Sequence, residues 1–171
     1  MREVTLGEEQ KDPDTSFESF FAAQNQRLQR ALYVLTGSTT EAEEVAQDAF
    51  VALWERWERV GGMQDPVGYL YKSALNRQRS LFRRASRIAR RFGASSSTVD
   101  PLTESEARMA LWEALSTLSL RRRTALVLVD LLGYDSPDAG KLMGIGDVTV
   151  RRLAQAARAQ LVRELGDSDA D

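Results

Sequence analysis

The residues of this chain best suited to chemistry are arginines, and they lie in two clusters. Between positions 66 and 99 there are eight basic residues and no acidic residue. Like charges at helical spacings of three and four repel one another unless a polyanion neutralises them, so this run favours phosphate binding over a solvated helix face. A second cluster, at Arg151, Arg152 and Arg158, follows a glycine-bearing turn. Both clusters predict contact with nucleic acid.

The net charge does not show that acidic and basic residues are segregated along the chain. The net charge is only −2, which argues weakly against a nucleic-acid binder. However, positions 31 to 55 contain five acidic residues and no basic residue, directly before the basic run. We therefore predict one helix with an acidic face, followed by a basic one.

The residue types of this chain give little support for an enzyme. The chain has no cysteine and no histidine, which excludes thiolate nucleophiles, disulfides and the commonest metal ligands. A phosphate loop is suggested near Gly133, but six residues rather than four separate it from Gly140, and Leu142 replaces the hydroxyl that would bind magnesium. Glu43 and Glu44 are adjacent and point different ways on a helix, so they form no acid/base pair. We predict no catalytic residue, no metal, no cofactor and no enzymatic activity.

Three helices are predicted to position the first arginine cluster. Each shows apolar residues at helical spacing between a capping residue and a stop. The second apolar stripe includes Trp54 and Trp57, and the third includes Tyr71, so we expect these three side chains in the core. The first helix is predicted to start at Ser16 and to stop at Gly37. The second is predicted to open with the Thr40/Glu43 capping box and to end at the Gly61-Gly62 pair. The third is predicted to start at Asp65-Pro66 and to run toward Phe92.

The second cluster requires another set of helices, after a segment of short side chains and a proline. Thr103 and Glu106 form a capping box for a helix through Leu118, and a further helix is predicted from about Ser119 to Leu132. The last part has the outline of a helix-turn-helix, although a plain helical hairpin with a solvated arginine face would look similar. Its signals are an Asp135/Asp138 cap, a helix through Met143, the turn Gly144 to Gly146, and a helix from Asp147 to Leu165.

In a helix-turn-helix the second helix enters the major groove of DNA. The side chains that this helix would direct toward bases and phosphates are Asp147, Thr149, Arg151, Arg152, Gln155 and Arg158.

No strand signal is present, so we predict an all-α fold of two small helical domains, a three-helix bundle and a helix-turn-helix, joined by a flexible linker. The amino-terminal sequence is polar and acidic and no apolar run is long enough to span a bilayer, so we expect a cytoplasmic protein without a membrane segment. The predicted divisions are a mobile arm (1–15), a first domain (16–92), a linker (93–104), a second domain (105–165) and an acidic, frayed tail (166–171).

Three segments carry a family resemblance: TEAEEVAQDAFVALWERW, DPVGYLYKSALNRQRSLFRR and LSLRRRTALVLVDLLGYDSPDAGKLMGIGDVTVRRLAQAARAQL. Their order resembles the extracytoplasmic-function group of the sigma-70 family, which consists of a region 2 domain, a linker and a region 4 domain. The resemblance covers about Phe17 to Leu165. It implies an RNA polymerase sigma factor that directs core polymerase to promoters and assists promoter melting.

The resemblance also implies roles for particular residues. The segment TEAEEVAQDAFVALWERW resembles the helix that binds the clamp coiled coil of the largest polymerase subunit, with Gln47, Asp48, Phe50, Leu53 and Trp54 on its motif positions. The segment that begins at Asp65 resembles the part that holds the melted minus-ten element, with Asn76 at the base-capturing position and Tyr69, Lys72, Arg77, Arg79, Arg83 and Arg84 beside it. The last segment resembles region 4, which reads the minus-thirty-five element, and Gly144, Ile145, Thr149, Val150, Arg151 and Arg158 fit its pattern.

The implied partners are core RNA polymerase, bound through its clamp and flap, and promoter DNA; an anti-sigma protein is common in the family. Two departures from the family pattern stand out. Leu153 and Ala156 replace frequent arginines, so the minus-thirty-five sequence cannot be transferred from relatives. Ala139 and Gly140 replace a bulky aliphatic residue and alanine, and we expect looser packing there.

Two rival interpretations remain at this point. A dimeric helix-turn-helix regulator would need a dimerisation helix and would use the basic helix only for packing, against which the acid-free arginine run argues. A small hydrolase or transferase is disfavoured by the missing histidine, cysteine and motif.

Overall fold

The structure, a computed structural model, describes residues 16–92 and 106–168, and its described residues form helices without any strand. The predicted arm, the whole of the predicted linker with the Thr103 cap, and the last three residues lie outside these ranges. The helices are α1 (Phe17–Thr36), α2 (Thr39–Trp54), α3 (Trp57–Val60), α4 (Pro66–Phe92), α5 (Glu106–Thr117), α6 (Leu120–Leu126), α7 (Ser136–Met143) and α8 (Asp147–Ser168). A π-helical turn, Val127–Leu131, continues α6. The all-α prediction is confirmed.

The first unit, α1 to α4, begins where the sequence signals place it. The Ser16 hydroxyl accepts a hydrogen bond from the Ser19 amide at 3.1 Å, and Gly37 ends α1 with a left-handed φ of 77°. Asp65 caps α4, because its carboxylate accepts from the Gly68 amide at 2.7 Å while Pro66 occupies the first helical position. These capping predictions are confirmed.

The start of α2 differs from the prediction. Its cap is Ser38, whose hydroxyl accepts from the Glu41 amide, rather than Thr40. The left-handed Gly37 ends α1 so abruptly that the next residue is already extended and available as a cap. Ser38 and Glu41 have the spacing of a capping box, so the correct signal lies two residues earlier in the sequence.

The predicted second helix is also interrupted, since α2 ends at Trp54 and α3 begins at Trp57. Trp57 is buried, with its ring centroid 5.0 Å from that of Phe20, as predicted. Trp54, expected in the core, is 63% exposed. It lies one residue beyond the fully buried Leu53, which places it about 100° round the helix from the packed stripe.

The second unit, α5 to α8, contains the predicted helix-turn-helix. The Asp135 carboxylate caps α7 by accepting from the Asp138 amide at 2.8 Å, and Gly144 ends α7 with φ 68°. Val150, Ala154 and Ala157 are buried on one face of α8, so the opposite face is left to solvent. The helix runs to Ser168, three residues beyond its predicted end at Leu165.

The expected loose packing at Ala139 and Gly140 is contradicted. Both residues are buried, and the Ile145 amide donates to the Gly140 carbonyl at 3.0 Å. A Cβ atom at position 140 would lie 2.7 Å from the Ile145 carbonyl oxygen. The missing side chain therefore lets the turn approach α7 closely, and the motif is tighter rather than looser.

The two units pack against each other. α1 contacts α6 and its π-helical turn, and α4 contacts α7. The buried apolar residues of α1, α2 and α4 form one continuous cluster with those of α6 and α7. Rings meet across the boundary, with centroids 4.7 Å apart for Tyr33 and Trp112 and 6.1 Å apart for Tyr71 and Tyr134. Within the described ranges, no helix is long and apolar enough to cross a bilayer.

Gly140→Ala is expected to lower the free energy of unfolding by about 1–3 kcal/mol, because the new methyl group is forced against a backbone oxygen that cannot rotate away. Chemical denaturation followed by circular dichroism would measure the change. Gly166→Ala is the matched control, since it is also helical and has no atom within 4 Å of the added Cβ. Equal stability of the two variants would contradict the close approach.

Candidate nucleic-acid interface

The exposed face of α4 brings together part of the first predicted site. Lys72, Asn76 and Arg83 are exposed and lie at helical spacings of four and seven residues, so they share one face. Tyr69, half-buried against the core, lies three residues before Lys72 on the same side. An amide, an ammonium and a guanidinium group are thus presented together beside an aromatic ring. Such a surface can donate hydrogen bonds to phosphates and base edges.

Arg77 points instead toward α2. Its Nε donates to the Asp48 carboxylate at 2.7 Å, and both side chains are half-exposed. Arg84 is exposed and lies seven residues later, on the Arg77 side of the helix. The predicted basic surface is therefore divided between two faces of α4. One residue of the predicted polymerase site and one of the predicted DNA site are joined by an ion pair.

Among the predicted DNA-contacting residues, Arg79 is the least accessible to DNA. Its guanidinium donates from Nη2 to the Met143 carbonyl, 3.0 Å away in the second unit. Burial lowers the pKa of Arg79, and the positive charges of Arg121 and Arg83 lower it further. The guanidinium is thus held among like charges and bonded to a backbone oxygen.

Tyr71 is buried, as predicted from the apolar stripe. Its hydroxyl is enclosed without a hydrogen-bond partner among the described residues. Burial raises the pKa of Tyr71 to about 12; in smaller measure the charge of Arg27 lowers this pKa and Tyr134 raises it. Tyr71 therefore packs at the boundary between the units rather than facing solvent.

The residues of the predicted polymerase site fall into an exposed group and a buried group. Gln47, Asp48 and Trp54 are exposed along α2, whereas Phe50 and Leu53 are buried against the core and cannot form a docking surface. These two residues hold α2 in place instead. Sequence reasoning missed Val51, which is 56% exposed. The helical spacing indicates this residue, because Val51 lies three residues after Asp48 and three before Trp54, on the same face.

The outer face of α8 carries the second predicted site. Thr149, Arg151, Arg152, Gln155 and Arg158 are all exposed, and Asp147 is partly exposed at the first position of the helix. The structure therefore places all six predicted residues on the side of α8 that does not carry the buried stripe. Val148, 52% exposed, was missed. It lies one turn before Arg152, where an apolar side chain can contact a thymine methyl group.

Two arginines of this face have acidic partners in the protein. Arg151 donates to Asp147 at 2.9 Å, four residues earlier on the helix. The Nε of Arg158 donates to both carboxylate oxygens of Asp130, at 3.0 and 3.2 Å. Exposed ion pairs contribute only about 0–1 kcal/mol each, so a DNA phosphate can replace either carboxylate.

Family models match the two units separately. The model described as Sigma-70 region 2 matches residues 20–88, and that described as Sigma-70, region 4 matches residues 108–161. The matched ranges contain α4 with Asn76 and α8 with its arginines, respectively.

Relatives with curated descriptions agree with the family models. The chain is 24% identical over 152 residues to the ECF RNA polymerase sigma factor SigM of Mycobacterium tuberculosis, covering 88% of this chain and 78% of SigM. It is 27% identical to the RNA polymerase sigma factor CnrH of Cupriavidus metallidurans, covering 77% and 76%.

Solved structures share the fold. The sigma factor RpoE in complex with the anti-sigma factor NepR, from Bartonella quintana, aligns with a TM-score of 0.74 at 21% identity, covering 88% of this chain and 96% of RpoE. CnrH in complex with the cytosolic domain of CnrY aligns with a TM-score of 0.63 at 27% identity, covering 91% and 88%.

Proposed function

Since the chain belongs to the extracytoplasmic-function group of the sigma-70 family, we propose that its two exposed basic faces read two elements of one promoter. As an RNA polymerase sigma factor it directs core polymerase to promoters at transcription initiation. The observation that carries the division of roles is the placement of Asn76, Lys72 and Arg83 on one exposed face of α4, in the unit that matches region 2. The two domains are proposed to comprise residues 16–92 and 105–165.

The α4 face is proposed to hold the melted minus-ten element. Melting costs roughly 1.4 kcal/mol of stacking for each base step. Capture of unpaired bases offsets this by about 1–3 kcal/mol per base through stacking and edge contacts. Asn76 supplies the amide that captures a flipped base, while Lys72, Arg83 and Arg84 bind the phosphates around it. Arg77 and Arg79 join them after leaving their acceptors within the protein.

The α8 face is proposed to enter the major groove at the minus-thirty-five element. Its exposed side chains face away from the buried Val150, Ala154 and Ala157, which attach the helix to the unit. Thr149, Arg151, Arg152 and Gln155 lie near the amino-terminal half and reach base edges. Arg158 lies two turns further along, where it binds a phosphate. Asp147 orients Arg151 through their ion pair.

Core polymerase is the proposed partner of the exposed α2 face. Gln47, Asp48, Val51 and Trp54 combine an apolar patch with a negative charge, and an exposed tryptophan is a residue type enriched in binding hot spots. The clamp coiled coil of the largest polymerase subunit is the proposed site for this face, and the flap is the proposed site for the second unit. A factor that works on core polymerase functions in the cytoplasm.

Two further proposals follow from the family. The chain makes and breaks no covalent bond, because in this group the polymerase performs the chemistry, and it needs no metal or cofactor. An anti-sigma protein is a proposed partner, since one of the solved structures is a sigma factor in complex with an anti-sigma factor.

Asn76→Ala is expected to reduce promoter opening while leaving assembly with core polymerase unchanged, because it removes the amide that holds a flipped base. The loss should be about 1–3 kcal/mol in the stability of the open complex. Permanganate footprinting of melted thymines would measure it. The control is Asn25→Ala, which changes the chain's other asparagine on α1. Unchanged melting would refute the assignment.

Asp48→Arg is expected to weaken co-purification with core polymerase by about tenfold, because it reverses a charge on the docking face. It also repels Arg77, so the double variant Asp48→Arg with Arg77→Asp is needed to restore the pair with its charges exchanged. If Asp48 touches the polymerase, the double variant stays weak; full recovery would mean that Asp48 acts only by holding Arg77. Glu113→Arg on α5 is the control, and no co-purification of the unchanged chain would contradict the proposed function.

Arg151→Ala and Arg152→Ala are expected to weaken binding to minus-thirty-five duplexes without changing binding to a single-stranded minus-ten oligonucleotide. A base contact costs about 1–3 kcal/mol and relaxes preference at one base pair, whereas a phosphate contact lowers affinity evenly and reduces the salt slope by about one. Titrations of single-base promoter variants at several salt concentrations separate the two. Arg163→Ala, further along α8, is the control. Loss of single-strand binding as well would show that the units do not act separately.

A further inference from the structure

We propose that Val148 determines one base pair of the minus-thirty-five element by contacting the methyl group of a thymine. This inference rests on the proposed placement of α8 in the major groove. It adds to that placement an apolar residue that the charged side chains of α8 do not indicate, together with the chemical identity of the base that this residue selects.

The position of Val148 on α8 is opposite the buried side of the helix. Val150 and Ala154 are buried and attach α8 to its unit. At about 100° per residue, Val148 lies about 160° round the helix from Val150. Arg152 and Gln155 follow it four and seven residues later, so the three side chains form one line along the solvent side, which we call the outer stripe (Val148, Arg152 and Gln155). Val148 is its first member.

Val148 also lies at the end of α8 that contacts base edges in this motif. The helix begins at Asp147, and the Gly146 carbonyl accepts hydrogen bonds from the Thr149 and Val150 amides at 3.0 and 3.1 Å. Val148 is therefore the second residue of the helix. In a helix-turn-helix the amino-terminal residues of the second helix contact base edges, and the Cα–Cβ bonds of a helix tilt toward its amino terminus. The Val148 side chain is thus directed toward the bases when α8 lies in the groove.

Val148 contributes little to the packing of its own unit, since its side chain is 52% exposed. Single apolar residues are common on protein surfaces, so exposure alone does not mark a contact. In the first turn of an exposed helix, however, acidic residues are favoured by the helix dipole, and a β-branched side chain has a lower helix propensity than many others. Its position on the outer stripe, rather than its exposure, indicates a contact with a ligand.

The chemistry of the major groove identifies the base that Val148 would contact. Of the groups by which base pairs are distinguished there, only the C5-methyl group of thymine is apolar. A valine side chain neither donates nor accepts a hydrogen bond, so its contact with another base would remove a polar group from water without replacing the lost hydrogen bond. Val148 therefore favours thymine and disfavours the other three bases.

The acidic partners of the α8 arginines leave the outer stripe available for base edges. Arg151 and Arg158 lie to one side of this stripe. Their guanidinium groups donate to the carboxylates of Asp147 and Asp130, respectively, which DNA must displace. Arg152, on the stripe itself, forms no ion pair with an acidic residue of the described ranges. The stripe thus presents an apolar side chain and, one helical turn later, a guanidinium group that can bind the O6 and N7 atoms of a guanine.

The proposed contact is small and does not depend on salt. Burial of a single methyl group increases affinity by about fourfold. Because no charge takes part, the salt concentration should not change this factor, whereas phosphate contacts weaken as salt is raised. A salt-independent preference for thymine over uracil, which lacks only the methyl group, is therefore the result that distinguishes this contact from a phosphate contact.

The test compares the unchanged chain with Val148→Ala and Val162→Ala, each assembled with core polymerase. Val162 is the matched control because it is also an exposed valine of α8, at 72%, and lies about 21 Å further along the helix. Duplexes with a randomised upstream segment are first selected with the unchanged chain and core polymerase, which yields the preferred minus-thirty-five sequence. Each thymine of that sequence is then replaced in turn by deoxyuridine, and dissociation constants are measured at two salt concentrations.

We expect one thymine-to-deoxyuridine replacement to weaken binding of the unchanged chain by about fourfold at both salt concentrations. The same replacement should have no effect on Val148→Ala and its full effect on Val162→Ala. Such a double-mutant cycle isolates the contact between the residue and the methyl group from other effects of either change. Circular dichroism checks that both variants retain their helices.

Three results would overturn the assignment of Val148. They are a preferred sequence in which no thymine responds to replacement, an unchanged response in Val148→Ala, and loss of the response in Val162→Ala. A selection that yields no preferred upstream sequence would contradict the proposed function and the assignment together. A preferred sequence without the expected response contradicts only the role of Val148.

Discussion

Each arginine guanidinium group in this molecule needs a hydrogen-bond acceptor. The way in which the helices pack depends on this constraint. A buried or half-buried cation is costly unless it is hydrogen-bonded, and α4 has basic residues without an acidic neighbour on its own helix. Its arginines therefore use acceptors from elsewhere: Asp48 on α2 for Arg77 and the α7 carboxyl end for Arg79. In the absence of a polyanion, the residues that suit DNA binding also determine which helices lie together.

The same constraint links the proposed binding surfaces. The pair between Asp48 and Arg77 joins a residue proposed to face the polymerase with one proposed to face DNA. A polymerase group that draws Asp48 away would leave Arg77 free for phosphate, and linkage requires the converse effect to be equal in size. Assembly with the polymerase and engagement of the minus-ten strand would then favour each other through a single exposed contact.

The sequence predicted most of what is local and little of what joins distant segments. Caps at Asp65 and Asp135 were correctly located because the relevant hydrogen bonds span three residues. Trp54 was misplaced because apolar character alone does not show which side of the stripe a residue occupies, and Ser38 was missed because a second capping pattern lay two residues away. The site residues on α8 follow from periodicity. The hydrogen bonds that Arg27, Arg79 and Arg123 donate to the other unit could not be predicted in this way. Their partners lie 64 to 105 positions away and are backbone atoms, which side-chain patterns do not show.

Arg27, Arg79 and Arg123 each donate to a main-chain oxygen of the other unit, and this has a consequence for how these contacts can change in evolution. A carbonyl is present whatever side chain a position carries, so substitutions at Leu35, Leu132 or Met143 leave the acceptor in place as long as the helix end persists. Replacement of the arginine, in contrast, removes the contact directly. The hydrogen bonds between the two units therefore depend on the identity of three donor residues and not on the side chains at the three acceptor positions.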